Sequence, residues 1–247
     1  MTFKVYIPAR YASSRLPGKP LLSVGGKPMV QHVYDNALLS GAEEVVVATD
    51  DDRIAAAAEA FGAAVARTRN THVSGTDRIA EAIAARGERD DAIIVNVQGD
   101  EPQLPAAVIR QVAAMIASNS AIDIASVCEP ILDLSEIDDP NIVKVVRATD
   151  QRALYFSRAP IPHARDGREG KLPCYRRHVG IYAYRAAYLR QFVATPPGDL
   201  EQLERLEQLR AIALNAMVVV ADAITECGIG IDTRDDYDRA IEAWQAR

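Results

Sequence analysis

The sequence predicts an α/β protein with an open, mostly parallel sheet that is flanked by helices. Short apolar runs alternate with helical patterns over residues 1–130, and this order is typical of a parallel sheet covered on both faces. The run at 44–49 is Val-rich and nearly continuous, as expected for a strand buried on both faces. The 247 residues suffice for one domain with a sizeable core.

Local signals set the bounds of each element. Glycines at 41 and 62 end two helices, and residues 25–28 form a predicted turn. Asp50-Asp51-Asp52 is interpreted as a helix cap rather than a metal cluster. The predicted strands are 5–7, 44–49, 64–67, 91–97, 122–127, 143–147, 178–184 and 217–220. The predicted helices are 29–40, 53–61, 76–86, 105–120, 200–214 and 233–247.

The character of the chain changes near residue 135, where long polar loops separate short strands. We therefore predict an inserted sheet at the edge of the main fold. This gives a single domain, 1–247, with an α/β half at 1–130, the inserted segment at 131–214, and a closing strand and helix at 215–247.

Composition narrows the class of protein. A net charge of −6 argues against a general binder of nucleic acid or anionic membranes. Cys128, Cys174 and Cys227 are widely spaced and show neither a metal-binding pattern nor a disulfide framework, which predicts a reducing compartment. The start of the chain lacks the apolar segment of a signal peptide, and no apolar run reaches the length of a membrane span. We expect a cytoplasmic protein.

A basic loop follows the first strand. Residues 8–20 contain three prolines, a glycine and two serines, which excludes regular structure, and their charged residues are Arg10, Arg15 and Lys19. Ligands of open parallel sheets bind at the carboxyl ends of the strands, where Arg and Lys supply donors for phosphate oxygens. We predict phosphate binding rather than a merely solvated loop. The spacing matches neither a Walker A loop nor a dinucleotide-binding glycine motif.

A second candidate segment is Gln98-Gly99-Asp100-Glu101-Pro102. Asp100 lies just past the strand at 91–97, where a carboxylate is suited to hold Mg²⁺ together with substrate phosphates. Gln98 precedes Asp100 by two residues, so both side chains would point to the same side of an extended segment, and we expect Gln98 to face the same crevice. The alternative is a turn whose acids cap the next helix, and Glu101 fits that role.

Two later segments carry polar groups among apolar neighbours. His178, Tyr182 and Tyr184 share one face of the strand 178–184, which suits either sugar hydroxyls or solvent equally well. No Ser or Cys is placed by the sequence to pair with His178. In the helix 200–214, Glu207 falls on the stripe of Leu200, Leu203 and Leu214, where a carboxylate needs a partner. That partner is either Arg210 or a ligand.

Taken together, these segments resemble the sugar-activating nucleotidyltransferases, and among them the cytidylyltransferases of 3-deoxy-manno-octulosonate (Kdo). The matching motifs run in family order over nearly the whole chain: PARYASSRLPGKPL at 8–21, HVSGT at 72–76, YFSR at 155–158, LEQLR at 206–210 and GIDT at 230–233. The resemblance implies a nucleotide-diphospho-sugar transferase-like fold. It also implies transfer of CMP from CTP to Kdo for lipopolysaccharide biosynthesis, with Mg²⁺ and in a homodimer that contacts neither nucleic acid nor membrane.

The residues and the resemblance together give three sets of site residues. The catalytic residues are Arg10, Arg15, Lys19 and Asp100. The nucleotide-binding residues are Pro8, Ala9, Arg10, Ser14, Arg15, Lys19, His72, Ser74, Gly75 and Asp100, and the sugar-binding residues are Gln98, Arg158, His178, Tyr182, Glu207 and Gln208. Mg²⁺ is assigned to Asp100 and Asp232, although without the resemblance Asp232 is interpreted only as a helix cap.

Two alternatives stay open at this point. The sugar acid is either Kdo or a relative such as 8-amino-Kdo or a sialic acid, because exchanging a hydroxyl for an amine leaves no sequence mark. The second alternative is that the chain is a non-catalytic nucleotide-binding module. The acids at both predicted metal positions argue against it.

Overall fold

The computed structural model describes residues 1–12, 16–167, 172–228, 230–231 and 233–245. Its strands are β1 Lys4–Ala9, β2 Ser23–Val24, β3 Lys27–Pro28, β4 Glu44–Thr49, β5 Ala64–Arg67, β6 Ile93–Asn96, β7 Ile124–Pro130, β8 Lys144–Arg147, β9 Ala153–Ser157, β10 Arg176–Arg185 and β11 Val218–Asp222. Its α-helices are α1 Met29–Leu39, α2 Asp52–Ala60, α3 Gly75–Ala85, α4 Ala106–Ser118, α5 Leu134–Asp138, α6 Ala186–Ala194, α7 Asp199–Glu204, α8 Gln208–Ala213 and α9 Arg234–Gln245.

The main sheet has the strand order β11-β7-β10-β6-β1-β4-β5. Strands β6, β1, β4 and β5 are parallel to one another, and β11 is parallel to β7. Strand β10 is antiparallel to both of its neighbours, and the β8–β9 hairpin pairs with it at one end. The predicted fold class, an open and mostly parallel sheet flanked by helices, is confirmed.

The inner strands bury both faces, which explains their continuous apolar sequences. In β1, Val5 and Ile7 belong to a core cluster shared with α1 and α4, whereas Tyr6 belongs to a second cluster shared with α3 and α6. Because β1 and β6 are parallel neighbours, the segments that follow them emerge side by side at the carboxyl edge of the sheet. These are the basic loop and the segment 98–102.

The prediction that residues 178–184 belong to an edge insertion is wrong. They form part of β10, which lies between β6 and β7 in the middle of the sheet. Val179, Ile181 and Ala183 face one core cluster, as the alternation predicts, but Tyr182 and Tyr184 pack into the second cluster rather than toward solvent. The polar face of the sequence does not distinguish an edge strand from a central one, because Tyr184 satisfies its hydroxyl inside the protein, where it accepts from Asn96 Nδ2.

The prediction of one helix over residues 200–214 is also wrong. The structure has two short helices there, α7 and α8. Arg205, between α7 and α8, adopts a left-handed conformation with φ 54° and breaks the helix. The leucines of the predicted stripe are exposed, Leu203 by 83%. Arg210 pairs with Glu201 instead of Glu207. Helices α5 and α6 had no counterpart among the predicted elements.

Helices α2 and α3 begin with side-chain caps, and the cap at Asp51 confirms its prediction. The Asp51 carboxylate accepts from the amides of Arg53 and Ile54 at the start of α2, and Ser74 Oγ accepts from the Asp77 amide at the start of α3. The three cysteines are free, two buried and Cys174 exposed. Among the helices of the described residues, none combines the length and apolar character needed to cross a membrane.

Candidate active site

A cavity of about 210 Å³ opens at the carboxyl edge of β1 and β6. Three segments line it: the end of β1 with the basic loop, the loop before α3, and the turn after β6. The lining residues are Pro8, Ala9, Arg10, Lys19, Pro20, His72, Val73, Ser74, Gly75, Arg78, Gln98, Gly99 and Asp100. Every described residue of the predicted nucleotide-binding set is among them, together with Gln98.

The basic loop is folded back on itself by a glycine. Gly18 has φ 68°, a left-handed conformation that glycine adopts without steric cost, and its amide donates to the Tyr11 carbonyl at 3.0 Å. This turn starts the short helix Lys19–Leu21 and directs Lys19 into the cavity. Lys19 Nζ lies 2.6 Å from Asp100 Oδ2, so the predicted cation and the predicted acid meet.

The segment that precedes α9 packs directly on the turn after β6. The Ile231 amide donates to the Asp100 main-chain carbonyl at 2.9 Å. Residue 231, which precedes the predicted metal ligand Asp232 in the sequence, therefore contacts Asp100, the other predicted metal ligand. Glycines permit this approach: a Cβ on Gly230 would lie 2.9 Å from Glu101 Oε1, and one on Gly228 would overlap the Gln103 side chain at its Cβ. Ser14, Arg15 and Asp232 themselves lie outside the described residues, so their assigned roles stay predictions.

We expect Gly228→Ala to weaken the apparent binding of Mg²⁺ more than it destabilises the fold. The new methyl group collides with the Gln103 side chain at its Cβ, so Gly228, and with it Gly230 and Ile231, must move away from Asp100. Activity titrated with MgCl₂ should show a half-saturating concentration raised at least about tenfold, with a small change in melting temperature. Gly62→Ala, where no atom lies within 4 Å but φ is 87°, controls for loss of a glycine. An unchanged Mg²⁺ titration for Gly228→Ala would contradict this packing argument.

The cavity also contains a buried cation that the sequence prediction missed. Arg78, on the first turns of α3, is only 3% exposed, contacts Asp50 at 3.0 Å and donates to Thr68 Oγ1 at 2.5 Å. Burial lowers the pKa of Arg78, and the neighbouring Arg10 lowers it further. Two guanidiniums close together favour an anionic or electron-rich ligand. A lone Arg on a helix gives no sequence signal for this position.

Among the predicted sugar-binding residues, His178 is held by a serine. His178 Nε2 lies 2.9 Å from Ser126 Oγ, and the Ser126 hydroxyl reaches the Val179 carbonyl at 3.3 Å. Burial lowers the pKa of His178 to about 3, so the imidazole is neutral near pH 7. Ser126 is fully buried, so this pair, which the sequence did not reveal, is structural and supplies no nucleophile. The His178 ring packs on Phe156 and Tyr182, with ring centroids 4.9 and 5.4 Å away.

Glu207, at the start of α8, is hydrogen-bonded to the first turn of α3, next to the cavity lining. Its Oε2 accepts from Thr76 Oγ1 at 2.6 Å, next to Ser74 and Gly75. Desolvation raises the pKa of Glu207 above its ordinary value of 4.5, although hydrogen bonds from Ser74 and Thr76 oppose the shift. The adjacent Gln208 is 5% exposed.

We expect Glu207→Gln to cost sugar binding but not stability near neutral pH. Because the folded state raises the pKa of this carboxyl, the wild type is favoured below pH 4.5 and loses that stabilisation as the pH rises through the raised pKa. Glutamine keeps an acceptor for Thr76 and carries no charge to desolvate. In thermal melts at pH 4.5 and pH 8, the melting temperature of the variant relative to the wild type should be higher at pH 8. KM for the sugar should rise about tenfold. A stability difference that is independent of pH would contradict the assignment.

Arg158 is held by hydrogen bonds to two other segments of the chain. Its guanidinium donates to the backbone carbonyls of Glu204 and Pro140, each at 2.8 Å, and its amide donates to the Glu204 carboxylate. It therefore anchors the end of α7 and is absent from the cavity lining. Its contact with the sugar stays a prediction.

Comparison with known proteins agrees with this geometry. The cytidylyltransferase family matches residues 5–219 of the chain. A 3-deoxy-manno-octulosonate cytidylyltransferase of Thioalkalivibrio sulfidiphilus is 51% identical over 250 residues, covering 100% of both chains. The enzyme of that name from Pseudomonas syringae pv. syringae is 52% identical over 96% of each chain. A solved structure of CMP:2-keto-3-deoxy-manno-octonic acid synthetase complexed with CTP is 41% identical, with a TM-score of 0.91 and coverage of 100% of this chain and 99% of that one. This chain therefore belongs to the cytidylyltransferase family.

Proposed function

We propose that this protein transfers CMP from CTP to the anomeric hydroxyl of Kdo and releases pyrophosphate, as a step of lipopolysaccharide biosynthesis. The observation that carries the proposal is the cavity at the carboxyl edge of the sheet, lined by the family's motif residues in a chain about half identical to enzymes named for that reaction. In this reaction the hydroxyl oxygen bonds to the α-phosphorus of CTP, and the bond from that phosphorus to pyrophosphate breaks.

The described side chains suit a direct transfer. Arg10 and Lys19 line the cavity and stabilise negative charge on the α-phosphate and the departing pyrophosphate. The other nucleotide contacts come from the loop 72–75, where the start of α3 presents free amides. The buried thiols are poor nucleophiles, because burial raises the pKa of Cys128 to about 11 and that of Cys227 to about 12. Positioning and electrostatics then account for the acceleration without a covalent enzyme intermediate.

We further propose that Asp100 and Asp232 hold Mg²⁺. Asp100 is suited to this role because its side chain is 31% exposed at the cavity and its main-chain carbonyl accepts from the Ile231 amide. Mg²⁺ commonly takes one or two protein carboxylates and completes its coordination shell with phosphate oxygens and water, so two aspartates suffice for the proposed site. When bound, Mg²⁺ neutralises phosphate charge and lowers the pKa of the sugar hydroxyl.

The test is release of pyrophosphate by purified protein given Mg²⁺, Kdo and each of CTP, UTP, ATP and GTP in turn. We expect release with CTP that requires Kdo and stops when EDTA is added. Repeating the CTP reaction with 8-amino-Kdo and N-acetylneuraminate decides the sugar. Release with one of these sugars but not with Kdo would keep the cytidylyltransferase and overturn the sugar assignment. Nucleotide binding without release under all conditions would favour the binding-module alternative.

A homodimer and a cytoplasmic location belong to the same proposal. The resemblance supports the homodimer, and the reducing environment expected for three free cysteines supports the cytoplasm. Sedimentation equilibrium and fractionation of cells that express the protein test them directly.

A further inference from the structure

Helix α9 packs on the segment that follows the basic loop. Its residues are mostly charged, but one apolar stripe with helical spacing runs along it: Tyr237, Ala240, Ile241 and Trp244. This stripe belongs to a small apolar cluster, distinct from the two large cores on the faces of the sheet, whose other members are Leu16, Leu22, Val24, Met29 and Ile231. None of these residues has a role in the site as described so far.

The cluster connects two segments of the predicted site. Leu16 is 7% exposed and directly follows Arg15, which is assigned to catalysis. Ile231 is 1% exposed and directly precedes Asp232, which is assigned to Mg²⁺. The Ile231 amide is also hydrogen-bonded to Asp100. One cluster therefore supports the basic loop and the segment before α9, which are far apart in the sequence.

Two contacts dock α9 on the hairpin of β2 and β3. The Tyr237 hydroxyl donates to the Ser23 carbonyl at 2.7 Å. The Trp244 ring packs beside Gly25, in the turn of the hairpin, and its centroid lies 4.5 Å from that of the His32 ring. A Cβ on Gly25 would lie 2.7 Å from Trp244 Cδ1, so the missing side chain at this position makes room for the indole.

We propose that Tyr237 and Trp244 are positioning residues: by docking α9, they hold the basic loop and residues 230–231 in the arrangement that binds CTP and Mg²⁺. This inference rests on the proposed function. A small cluster outside the main cores can open locally at a lower free energy than the whole domain unfolds. Undocking of α9 therefore weakens the binding of CTP and Mg²⁺ while the sheet stays folded. By linkage, CTP and Mg²⁺ in turn favour the docked helix.

The test is Gly25→Ala, whose methyl group displaces the indole. Trp244 is the single tryptophan of the protein, so its fluorescence reports the docking of α9 directly. We expect the emission of the variant to shift to longer wavelength and to be quenched more strongly by acrylamide. Adding CTP and Mg²⁺ without Kdo should return the emission toward that of the wild type. Excitation at the long-wavelength edge of the indole band avoids absorption by CTP.

The same variant should separate the kinetic constants. If about four fifths of the molecules are undocked, KM for CTP and the half-saturating concentration of Mg²⁺ each rise about fivefold. At saturating CTP and Mg²⁺ the helix is docked again, so kcat and KM for Kdo should stay within about twofold of the wild type. Tyr237→Ala removes a buried ring and the hydrogen bond to Ser23, keeps the tryptophan, and should reproduce these changes independently of the turn.

Gly26→Ala is the matched control. Gly26 is the next residue of the same turn and has φ 85°, but a Cβ there meets no atom within 4 Å. Alanine is strained at both positions, and only at residue 25 does it reach Trp244, so Gly26→Ala should keep the emission and all kinetic constants of the wild type.

Three results would overturn the positioning role. The first is a shifted emission in Gly25→Ala and Tyr237→Ala with unchanged KM for CTP and unchanged Mg²⁺ dependence, since α9 would then serve stability alone. The second is wild-type emission in both variants, and the third is the same set of changes in Gly26→Ala. If the wild-type protein releases no pyrophosphate with any sugar acid, the proposed function fails. Recovery of the Gly25→Ala emission by CTP and Mg²⁺ would then still couple α9 to nucleotide binding.

Discussion

Asp100→Asn is expected to lower turnover about 100- to 1,000-fold while leaving the fold intact. The carboxylate pairs with Lys19 at the cavity, and the Asp100 main-chain carbonyl accepts from the Ile231 amide, so asparagine removes the negative charge that faces the basic loop beside this backbone contact. The side chain is partly exposed, and we therefore expect little change in melting temperature. Steady-state rates over a range of MgCl₂ concentrations, together with thermal melts, measure both effects.

Asp35→Asn controls for the loss of an ion pair alone. Asp35 Oδ2 lies 2.7 Å from Lys27 Nζ, a Lys–Asp pair of similar length that is exposed and outside the cavity lining. It should keep wild-type turnover. Near-normal, Mg²⁺-dependent turnover in Asp100→Asn would remove Asp100 from the mechanism.

The nucleotide half of the site was predictable because each of its parts carries a local signal. Pro8 lies close to the end of an apolar strand, which runs one residue further to Ala9; Gly18 and the prolines mark a loop whose regular structure is limited to the short helix Lys19–Leu21; and Asp100 follows a second buried strand. In a parallel sheet such segments must emerge at the same edge, so sequence order alone brings them together. The structure places the described members of this set around one cavity.

The sugar half was less predictable because its geometry depends on contacts between distant segments. The polar face of β10 has the same pattern as a solvent-facing strand, and the hydrogen bond between Tyr184 and Asn96 cannot be read from the strand's own residues. The break at Arg205 is a left-handed residue other than glycine, so no local signal marks it. The geometry between α7 and α8 is set by the tertiary contacts of Arg210 and not by helical periodicity.

Arg210→Met is accordingly expected to destabilise the protein by about 3–5 kcal/mol, lowering its melting temperature by about 10 °C. Arg210 and Glu201 are both buried, and two hydrogen bonds of 2.7 and 2.5 Å join them. Arg210 also donates to the carbonyls of Phe192 and Thr195 at the end of α6. Removing the guanidinium leaves the Glu201 carboxylate buried without a counter-charge. Thermal and urea unfolding of the variant measure the loss.

The double variant Glu201→Leu/Arg210→Met separates two quantities: the destabilisation caused by an unpaired buried charge, and the net contribution of the ion pair to the stability of the protein. An apolar replacement of both partners of a buried ion pair is often nearly neutral, so we expect it to recover most of the lost stability. The ion pair also joins α7 to α8 across the break at Arg205, and α8 begins directly after Glu207. Recovered stability with a raised KM for Kdo and an unchanged KM for CTP would mean that the ion pair serves sugar positioning. A single variant as stable as the wild type would show that Glu201 finds water or another partner, and that the break between α7 and α8 is held by other contacts.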